Sequence, residues 1–251
     1  MKLTYWLSLY LLFSVQAIAS SLESKPEKLV VGLIEGGRAP YFFAKESKKQ
    51  GLYRDILSAI ERKTNINFIY RYYPQARLRR MMVSGRLDIE MGTDPLWRQE
   101  KNEINITSYS EPFMLSRESW VVSSDNKHKL QYWIDFPQEA VPCVVLGFNI
   151  EESMKKAGSD VQGNSDQHLL EMLKRKRCDI ALIPNAILDY YQSFSYGDFT
   201  TLAAKKEYQL RIRIGKKRQY LLPQINCAIT EMKLSGELSR LLKKYDIRNN
   251  G

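Results

Sequence analysis

Residues 53–72 read YRDILSAIERKTNINFIYRY and combine two hydrophobic patterns within one short stretch. In the first half, Ile56, Leu57 and Ile60 recur at the spacing that places side chains on one face of a helix. In the second half, from Asn67 to Tyr72, aromatic and β-branched residues favour an extended strand. An amphipathic helix that leads directly into a strand indicates a layered α/β fold.

The same alternation of strands and helices continues on both sides of this stretch. A helix with Leu78, Met81 and Met82 at core spacing follows Pro74, and Gly85 is predicted to cap its carboxyl end. Strands are predicted at 29–34, 87–91, 119–123, 141–146, 179–183 and 208–214, and helices at 166–176, 219–232 and 236–245. This order predicts an α/β protein with a mainly parallel sheet.

The amino terminus has the pattern of a secretory signal peptide. Lys2 precedes an apolar run from residue 3 to residue 18, and the small residues Ala17 and Ala19 form a cleavage site. The alternative is a membrane anchor, but the run is short for a bilayer span and contains four polar residues: Thr4, Ser8, Ser14 and Gln16. We therefore expect a signal peptide at 1–19, a tether at 20–28 and a mature protein in the periplasm.

Composition indicates a folded protein with scattered positive charge. Hydrophobic residues make up 44% of the chain and aromatic residues 11%, unlike the profile of a disordered segment. The length suits two lobes that each bury a core. The net charge of +10 favours anionic partners, but the basic residues are spread along the chain and are interpreted as solvated faces. Nucleic-acid binding would also conflict with export.

The three cysteines leave two readings open. In an oxidising compartment one disulfide can form, and Cys143 and Cys178 each begin an apolar run. If those runs are adjacent parallel strands, the two cysteines lie at the same sheet end and can pair. Buried reduced cysteines are equally ordinary in strands.

Sequence signatures of catalysis are absent. The chain contains no nucleophile-elbow, phosphate-loop or dinucleotide-binding pattern. His128 and His168 lie in polar stretches without further metal-ligating residues at useful spacing. We therefore expect no enzymatic activity, no cofactor and no metal site.

Several short motifs follow one another along nearly the whole mature chain. They are APYF at 39–42, GLYRDI at 51–56, GRLD at 85–88, Arg98, YSEPF at 109–113, CDIA at 178–181, GEL at 236–238 and KKY at 243–245. In order and spacing they resemble the family 3 extracellular solute-binding proteins, whose best-known members carry polar amino acids to ABC transporters. No single motif is specific, but the set is.

The resemblance implies a two-lobed periplasmic-binding-protein fold of type II, with two crossing hinge strands near 118–122 and 208–214. Lobe 1 would comprise residues 29–117 together with 209–251, and lobe 2 residues 118–208. In such proteins the ligand lies in the cleft between the lobes, at strand carboxyl ends, and the lobes close over it by a hinge. The expected partners are a small molecule and an inner-membrane ABC permease, and the expected state is a monomer.

The resemblance also implies the position of an anion site. Arg98 falls where the family's arginine clamps the ligand carboxylate, a role that suits the planar guanidinium fork. Thr93 and Gly92 lie in the loop that supplies hydroxyl and amide donors to the same group. Because Arg98 is read as an exposed loop residue, we expect it to contribute ligand affinity and little stability.

Departures from the family pattern concern specificity. The acidic residue that pairs with a ligand ammonium is replaced by Pro184, which Asn185 follows, so ordinary α-amino acids are expected to bind weakly. The stacking aromatic before the Ala-Pro pair is replaced by Arg38, which either contacts an anion or pairs with Glu35.

Three further positions are candidates for the cleft. Arg77, at the start of a helix, is either a second anion contact or part of a solvated face. Tyr41 either supplies an aromatic wall or packs in the lobe core. Residues 147–149 end a strand and precede a predicted helix, so their backbone amides can donate to ligand oxygens.

These observations predict a protein that captures a small polar molecule, anionic or carboxylate-bearing, by hinge closure for an ABC transporter. Two alternatives stay open: a periplasmic dehydratase-like enzyme on the same fold, and a stand-alone ligand sensor or assembly protein. A binder stabilises on ligand addition and leaves the ligand unchanged, which separates it from the enzyme.

Overall fold

The computed structural model describes residues 25–126, 140–148 and 161–247, except for the side chains of residues 203–205. The predicted signal peptide, His128 and Asn149 lie outside these ranges. Within them, no helix has both the length and the apolar character needed to cross a bilayer.

The first α/β unit is built as the hydrophobic patterns predict. Its parallel strands are β1 (Glu27–Ile34), β2 (Ile66–Tyr73) and β3 (Ile89–Thr93), with β1 in the middle. Its helices are α1 (Leu52–Lys63) and α2 (Gln75–Val83), followed by the short helix α3 (Lys101–Ile104) and strand β4 (Thr107–Tyr109).

Two local details of this unit can be compared with the sequence. Gly85 follows α2 with a φ of 69°, which confirms the predicted glycine at the carboxyl end of that helix. Strand β1 begins at Glu27, two residues before the predicted start of the first strand. The backbone N–H of Glu27 donates to the carbonyl of Asn65 at 3.0 Å, so this residue already takes part in the β1–β2 pairing.

The second α/β unit follows strand β5 (Met114–Ser123). It contains β6 (Pro142–Val145), β7 (Val161–Gly163) and β8 (Ile180–Pro184), with β6 parallel to both neighbours. Helix α4 (Asp166–Lys174) lies between β7 and β8, and α5 (Asn185–Gln192) follows β8. Helix α5 is absent from the sequence-based prediction because it is short and buries only Ile187 and Leu188.

Strand β9 (Phe199–Gly215) joins the two units. Its first part pairs antiparallel with β5, and its last part pairs with β3 and β4. The strand order is therefore β2-β1-β3-β9-β5-β8-β6-β7, so that β5 and β9 are the two strands that cross between the lobes. Strand β9 begins well before the predicted Tyr208 because its first part pairs with the second half of β5.

The chain ends in helices α6 (Leu222–Leu234) and α7 (Glu237–Lys244), which pack on the first unit. Lys63 of α1 pairs with Glu231 of α6 at 3.1 Å, and Arg62 pairs with Glu237 of α7 at 2.9 Å. The first lobe therefore contains segments from both ends of the chain.

The two apolar runs that begin at Cys143 and at Cys178 lead into adjacent parallel strands. The two cysteines are linked by a disulfide, with 5.8 Å between their Cα atoms. The sequence left open whether these cysteines are paired or reduced, and in the structure they are paired. The disulfide ties β6 to the segment that leads into β8.

Candidate ligand-binding cleft

A cavity of about 130 Å³ lies where the two lobes meet, beside the crossing strands. Its wall takes residues from both lobes and from β5 and β9. The polar members are Arg38, Tyr53, Gln75, Glu90, Thr93, Arg98, Glu118 and Asp166, and the aromatic members include Phe42, Trp97, Phe148 and Tyr208. The carboxyl end of β3 supplies residues 90–93, which places the cavity at a strand end, as expected for an open α/β sheet.

The lobes contact one another across this cleft. In the middle, the Nε of Arg38 donates to Oδ2 of Asp166 at 2.8 Å, and Nη2 donates to Oδ1 at 3.3 Å. On one side the backbone of Gly147 lies so close to Ala76 that an added Cβ would be 2.9 Å from the Ala76 nitrogen. These contacts describe a closed arrangement of the two lobes.

Arg38 is held by the second lobe, and its predicted pairing with Glu35 is wrong. Glu35 is exposed, whereas the Arg38 guanidinium lies 4.7 Å from the centroid of the Phe148 ring and forms the bidentate pair with Asp166. Burial alone would lower the pKa of Arg38, but the Asp166 carboxylate outweighs it and raises that pKa. Arg38 is therefore a permanent cation in the wall.

Asp166 is positioned by the start of α4. The side chain of Ser165 accepts a hydrogen bond from the backbone N–H of His168 at 3.2 Å, which caps the helix and places Asp166 in its first turn. A carboxylate at that position is stabilised by the helix dipole. The sequence contains this cap, but it does not reveal that the carboxylate faces Arg38, 128 residues away.

Arg98 lines the cavity, but it is not the exposed loop residue that the sequence suggested. Its side chain is only 5% exposed, and both Nε and Nη2 donate to the carboxylate of Glu90. Nη1 donates to the carbonyl of Trp97 at 3.0 Å. The premise that Arg98 is exposed is therefore wrong, and because its guanidinium is part of a buried ion pair, we expect it to contribute to stability as well.

A second arginine completes this buried ion-pair network, which comprises Glu90, Arg98, Glu103 and Arg213. Arg213, on β9, is fully buried and donates to Glu90 at 2.8 Å, to Glu103 at 3.4 Å and to Thr107 at 3.2 Å. Glu103 also accepts from the partly exposed Arg79 at 2.6 Å, so every carboxylate of the network has guanidinium partners, which is the usual condition for burying charge. The network holds Glu90 and Arg98 in the cavity wall.

Glu90 gives the network a pH dependence. Burial opposes its ionisation, but Arg98 and Arg213 outweigh burial and lower the pKa of Glu90 from 4.5 to about 2. A carboxyl group whose pKa is lowered by folding stabilises the protein at pH values above its unfolded-state pKa, and this stabilisation is lost as the pH falls from about 5 toward 2.

We expect the free energy of unfolding to fall more steeply with acid in the wild type than in Glu90→Gln, which cannot take up that proton. Urea denaturation at pH 5 and pH 3 measures this; equal losses in both proteins would contradict it.

Thr93 and Gly92 lie in the cavity wall and are the last two residues of β3, rather than part of a loop. Thr93 is buried, and Gly92 has a φ of 67°, a conformation that favours glycine. The following Asp94 accepts hydrogen bonds from the backbone N–H groups of Leu96 and Gln209, which fixes the loop that leads to Arg98. The predicted loop residues are thus beside the cavity.

The remaining candidates lie outside the wall. Tyr41 packs in the lobe core, where its ring stacks on that of Tyr53 with centroids 5.1 Å apart. Arg77 is exposed and lies over the Tyr73 ring at 4.8 Å. Asn185 begins α5, and its buried Oδ1 has no hydrogen-bond partner among the described residues. None of the three belongs to the residues that line the cavity.

The structure also brings carboxylates to the cleft that the sequence did not reveal. Glu118 on β5 lies directly opposite Pro184 in the β5–β8 ladder and lines the cavity with Glu90 and Asp166. The prediction that ordinary α-amino acids bind weakly rests on Pro184 alone and does not take these three carboxylates into account. Within the described ranges, no group of three or more histidine, cysteine or acidic residues could hold a metal ion.

Comparison with solved structures finds the same two-lobed architecture in proteins of low sequence identity. An arginine transport-system periplasmic binding protein from Legionella pneumophila has a TM-score of 0.72 and 16% identity, covering 87% of this chain and 99% of that one. An ancestral amino-acid-binding protein, described as a precursor of cyclohexadienyl dehydratase, has a TM-score of 0.72 and 20% identity over 87% of this chain and 95% of that one.

A histidine kinase sensor domain with similarity to periplasmic binding proteins also has a TM-score of 0.72, with 14% identity over 89% of this chain and 97% of that one. A comparison with curated protein sequences finds no significant match. Among protein families, "Bacterial extracellular solute-binding proteins, family 3" matches residues 29–247, which include both lobes and the cleft. The chain therefore belongs to the family 3 bacterial extracellular solute-binding proteins.

Proposed function

We propose that this protein captures a small polar, carboxylate-bearing molecule in the interlobe cavity, in the periplasm, and passes it to an inner-membrane ABC permease. The observation that carries the proposal is the cavity of about 130 Å³ between the lobes, whose wall contains two guanidiniums and three carboxylates. Because a cavity of about 150 Å³ accommodates benzene, we expect a small ligand, on the order of benzene in size, with larger molecules admitted only if the lobes move apart. The predicted signal peptide and family membership support the location.

The charges of the wall restrict the ligand further. The two guanidiniums of the wall, Arg38 and Arg98, already pair with Asp166 and Glu90, and Glu118 adds a third carboxylate. The three carboxylates of the wall would repel a dianion. A molecule with one carboxylate is repelled less, and it can bind to an arginine that also pairs with a wall carboxylate. The acidic groups also remove the reason for excluding α-amino acids, so zwitterions belong among the candidates.

The proposal is tested by a thermal-shift panel of acetate, succinate, L-glutamine and L-arginine, beside native mass spectrometry of freshly purified protein. A compound that binds only the folded state raises the melting temperature by mass action. We expect a rise with at least one monocarboxylate or zwitterion and none with succinate. A rise with succinate alone, or with no compound and no co-purified molecule, would contradict the proposed ligand class.

Closure by a hinge is a separate expectation, because β5 and β9 are the strands that cross between the lobes. Small-angle scattering should show a smaller radius of gyration with saturating ligand than without it. An identical profile in both conditions would count against hinge closure.

One observation supports each of the two alternatives. The enzyme alternative is supported by the similar fold of a dehydratase precursor, and the sensor alternative by the similar fold of a histidine kinase sensor domain. Incubation of the protein with the bound compound, followed by NMR of the small molecule, separates the enzyme from the binder. We expect the compound to be recovered unchanged.

A further inference from the structure

Tyr53 lines the cavity, although the residue is only 2% exposed and its hydroxyl oxygen is buried. Its ring is fixed by aromatic neighbours. Tyr41 stacks on one face with an interplanar angle of 4°, and Phe113 packs edge-on with centroids 5.8 Å apart. A ring packed in this way cannot swing its hydroxyl elsewhere without repacking the core. The direction of the Tyr53 Oη atom is therefore set by the fold.

Gly92 leaves the space that this hydroxyl occupies. A Cβ added to Gly92 would lie 2.0 Å from the Tyr53 Oη and 2.4 Å from the ring carbon that carries it. No other residue type fits at position 92 while Tyr53 keeps this position. The glycine and the tyrosine thus form one feature of the wall.

Within the described part of the chain, no group forms a hydrogen bond with the Tyr53 hydroxyl. Its neighbour Tyr41 differs, because the Tyr41 hydroxyl shares a hydrogen bond of 3.4 Å with Ser116. Leaving a buried hydroxyl without a partner is unfavourable, and such groups in folded proteins call for an explanation. In a ligand-binding cavity, a bound molecule can provide the partner.

The Tyr53 hydroxyl keeps its proton under ordinary conditions. Burial is the main cause that raises its pKa well above 10, and the nearby carboxylates of Glu118 and Asp166 act in the same direction. A protonated phenol in this place offers a hydrogen to an acceptor atom.

We propose that the Tyr53 hydroxyl donates a hydrogen bond to a carbonyl or carboxylate oxygen of the bound molecule and so selects ligands with an acceptor at this end of the cavity. This inference rests on the proposed function and adds a specificity determinant that the resemblance does not assign. It also gives Gly92 a role other than that of an amide donor, since its small size makes room for the hydroxyl.

The test compares Tyr53→Phe with Tyr41→Phe, a matched control that loses the same atom from the stacked partner ring outside the cavity. The probe is whichever of acetate, L-glutamine, L-arginine or succinate raises the wild-type melting temperature most. Calorimetry should show at least tenfold weaker binding to Tyr53→Phe and binding within twofold of wild type for Tyr41→Phe. Wild-type affinity in Tyr53→Phe would overturn the inference and leave the proposed function intact.

A ligand-free measurement tests the premise of this inference, that the Tyr53 hydroxyl has no partner within the folded chain, even if none of the four compounds binds. Without ligand, Tyr53→Phe loses no intramolecular hydrogen bond, so its melting temperature should equal or exceed that of wild type. Tyr41→Phe loses the bond to Ser116 and should melt about 2–4 °C lower. If Tyr53→Phe falls as far as Tyr41→Phe, the hydroxyl has a partner within the folded chain and the inference is wrong. Failure of all four compounds would contradict only the proposed ligand class.

Discussion

Replacing Arg98 with alanine is expected to lower the free energy of unfolding by about 3 kcal/mol, which is the low end of the range for removing one member of a buried ion pair. The loss is at the low end because Glu90 retains Arg213 at 2.8 Å as a second partner. Arg98→Lys should recover part of the loss, since a point charge cannot form the two-pronged contact with Glu90. Urea denaturation followed by circular dichroism measures both effects.

The matched control for Arg98 is Arg175→Ala. Arg175 pairs with Glu171 on the surface of α4, and its side chain is 60% exposed. Surface pairs of this kind contribute about 0.3–0.5 kcal/mol, so the control should unfold almost as the wild type does. If Arg98→Ala were no less stable than Arg175→Ala, the buried network would not exist as described, and the original view of Arg98 as a residue for ligand affinity alone would stand.

Breaking the ion pair between Arg38 and Asp166 is expected to weaken ligand binding at least tenfold, measured with the compound that raises the wild-type melting temperature most. The stability of the ligand-free protein should change little. In the closed arrangement, Arg38→Ala leaves Asp166 buried without its cation, a condition that disfavours closure. In an open arrangement both groups are solvated, so the ligand-free protein avoids that penalty. Calorimetry and thermal melts of Arg38→Ala and Asp166→Asn measure the two quantities.

The exchanged pair provides the control for this prediction. The double variant Arg38→Asp, Asp166→Arg restores opposite charges across the cleft and should regain part of the affinity if closure is what the pair supports. If the double variant binds no better than the single variants while Arg38→Ala binds as wild type, the ion pair does not stabilise the closed state.

The fold follows from the sequence because its signals are local. The helix period of Ile56, Leu57 and Ile60 and the glycine after α2 predict the first lobe within a few residues. Helix α5 was not predicted from the hydrophobic pattern, because it is short, begins directly after Pro184 and has only two buried apolar residues. The start of β9 was also not predicted correctly, because pairing with β5, and not a local sequence pattern, determines where this strand begins.

The site was only partly predictable for the opposite reason: its chemistry depends on partners far apart in the chain. The family resemblance implied that Arg98, Thr93 and Gly92 are cleft residues, and all three line the cavity. Spacing cannot show that Glu90 and Arg213 neutralise Arg98, or that Arg38 meets Asp166 from the other lobe. Tyr53 lies inside a helix pattern that explains it fully as a core residue, so only its unpaired hydroxyl indicates a second role.

The most direct test of ligand capture between the lobes is a crystal structure of the protein grown with the compound that raises its melting temperature most. We expect electron density for that compound in the cavity between the lobes, with an acceptor oxygen within hydrogen-bond distance of the Tyr53 hydroxyl and the lobes closed as described. Density for the compound at any site outside this cleft, with the cavity empty, would contradict the account.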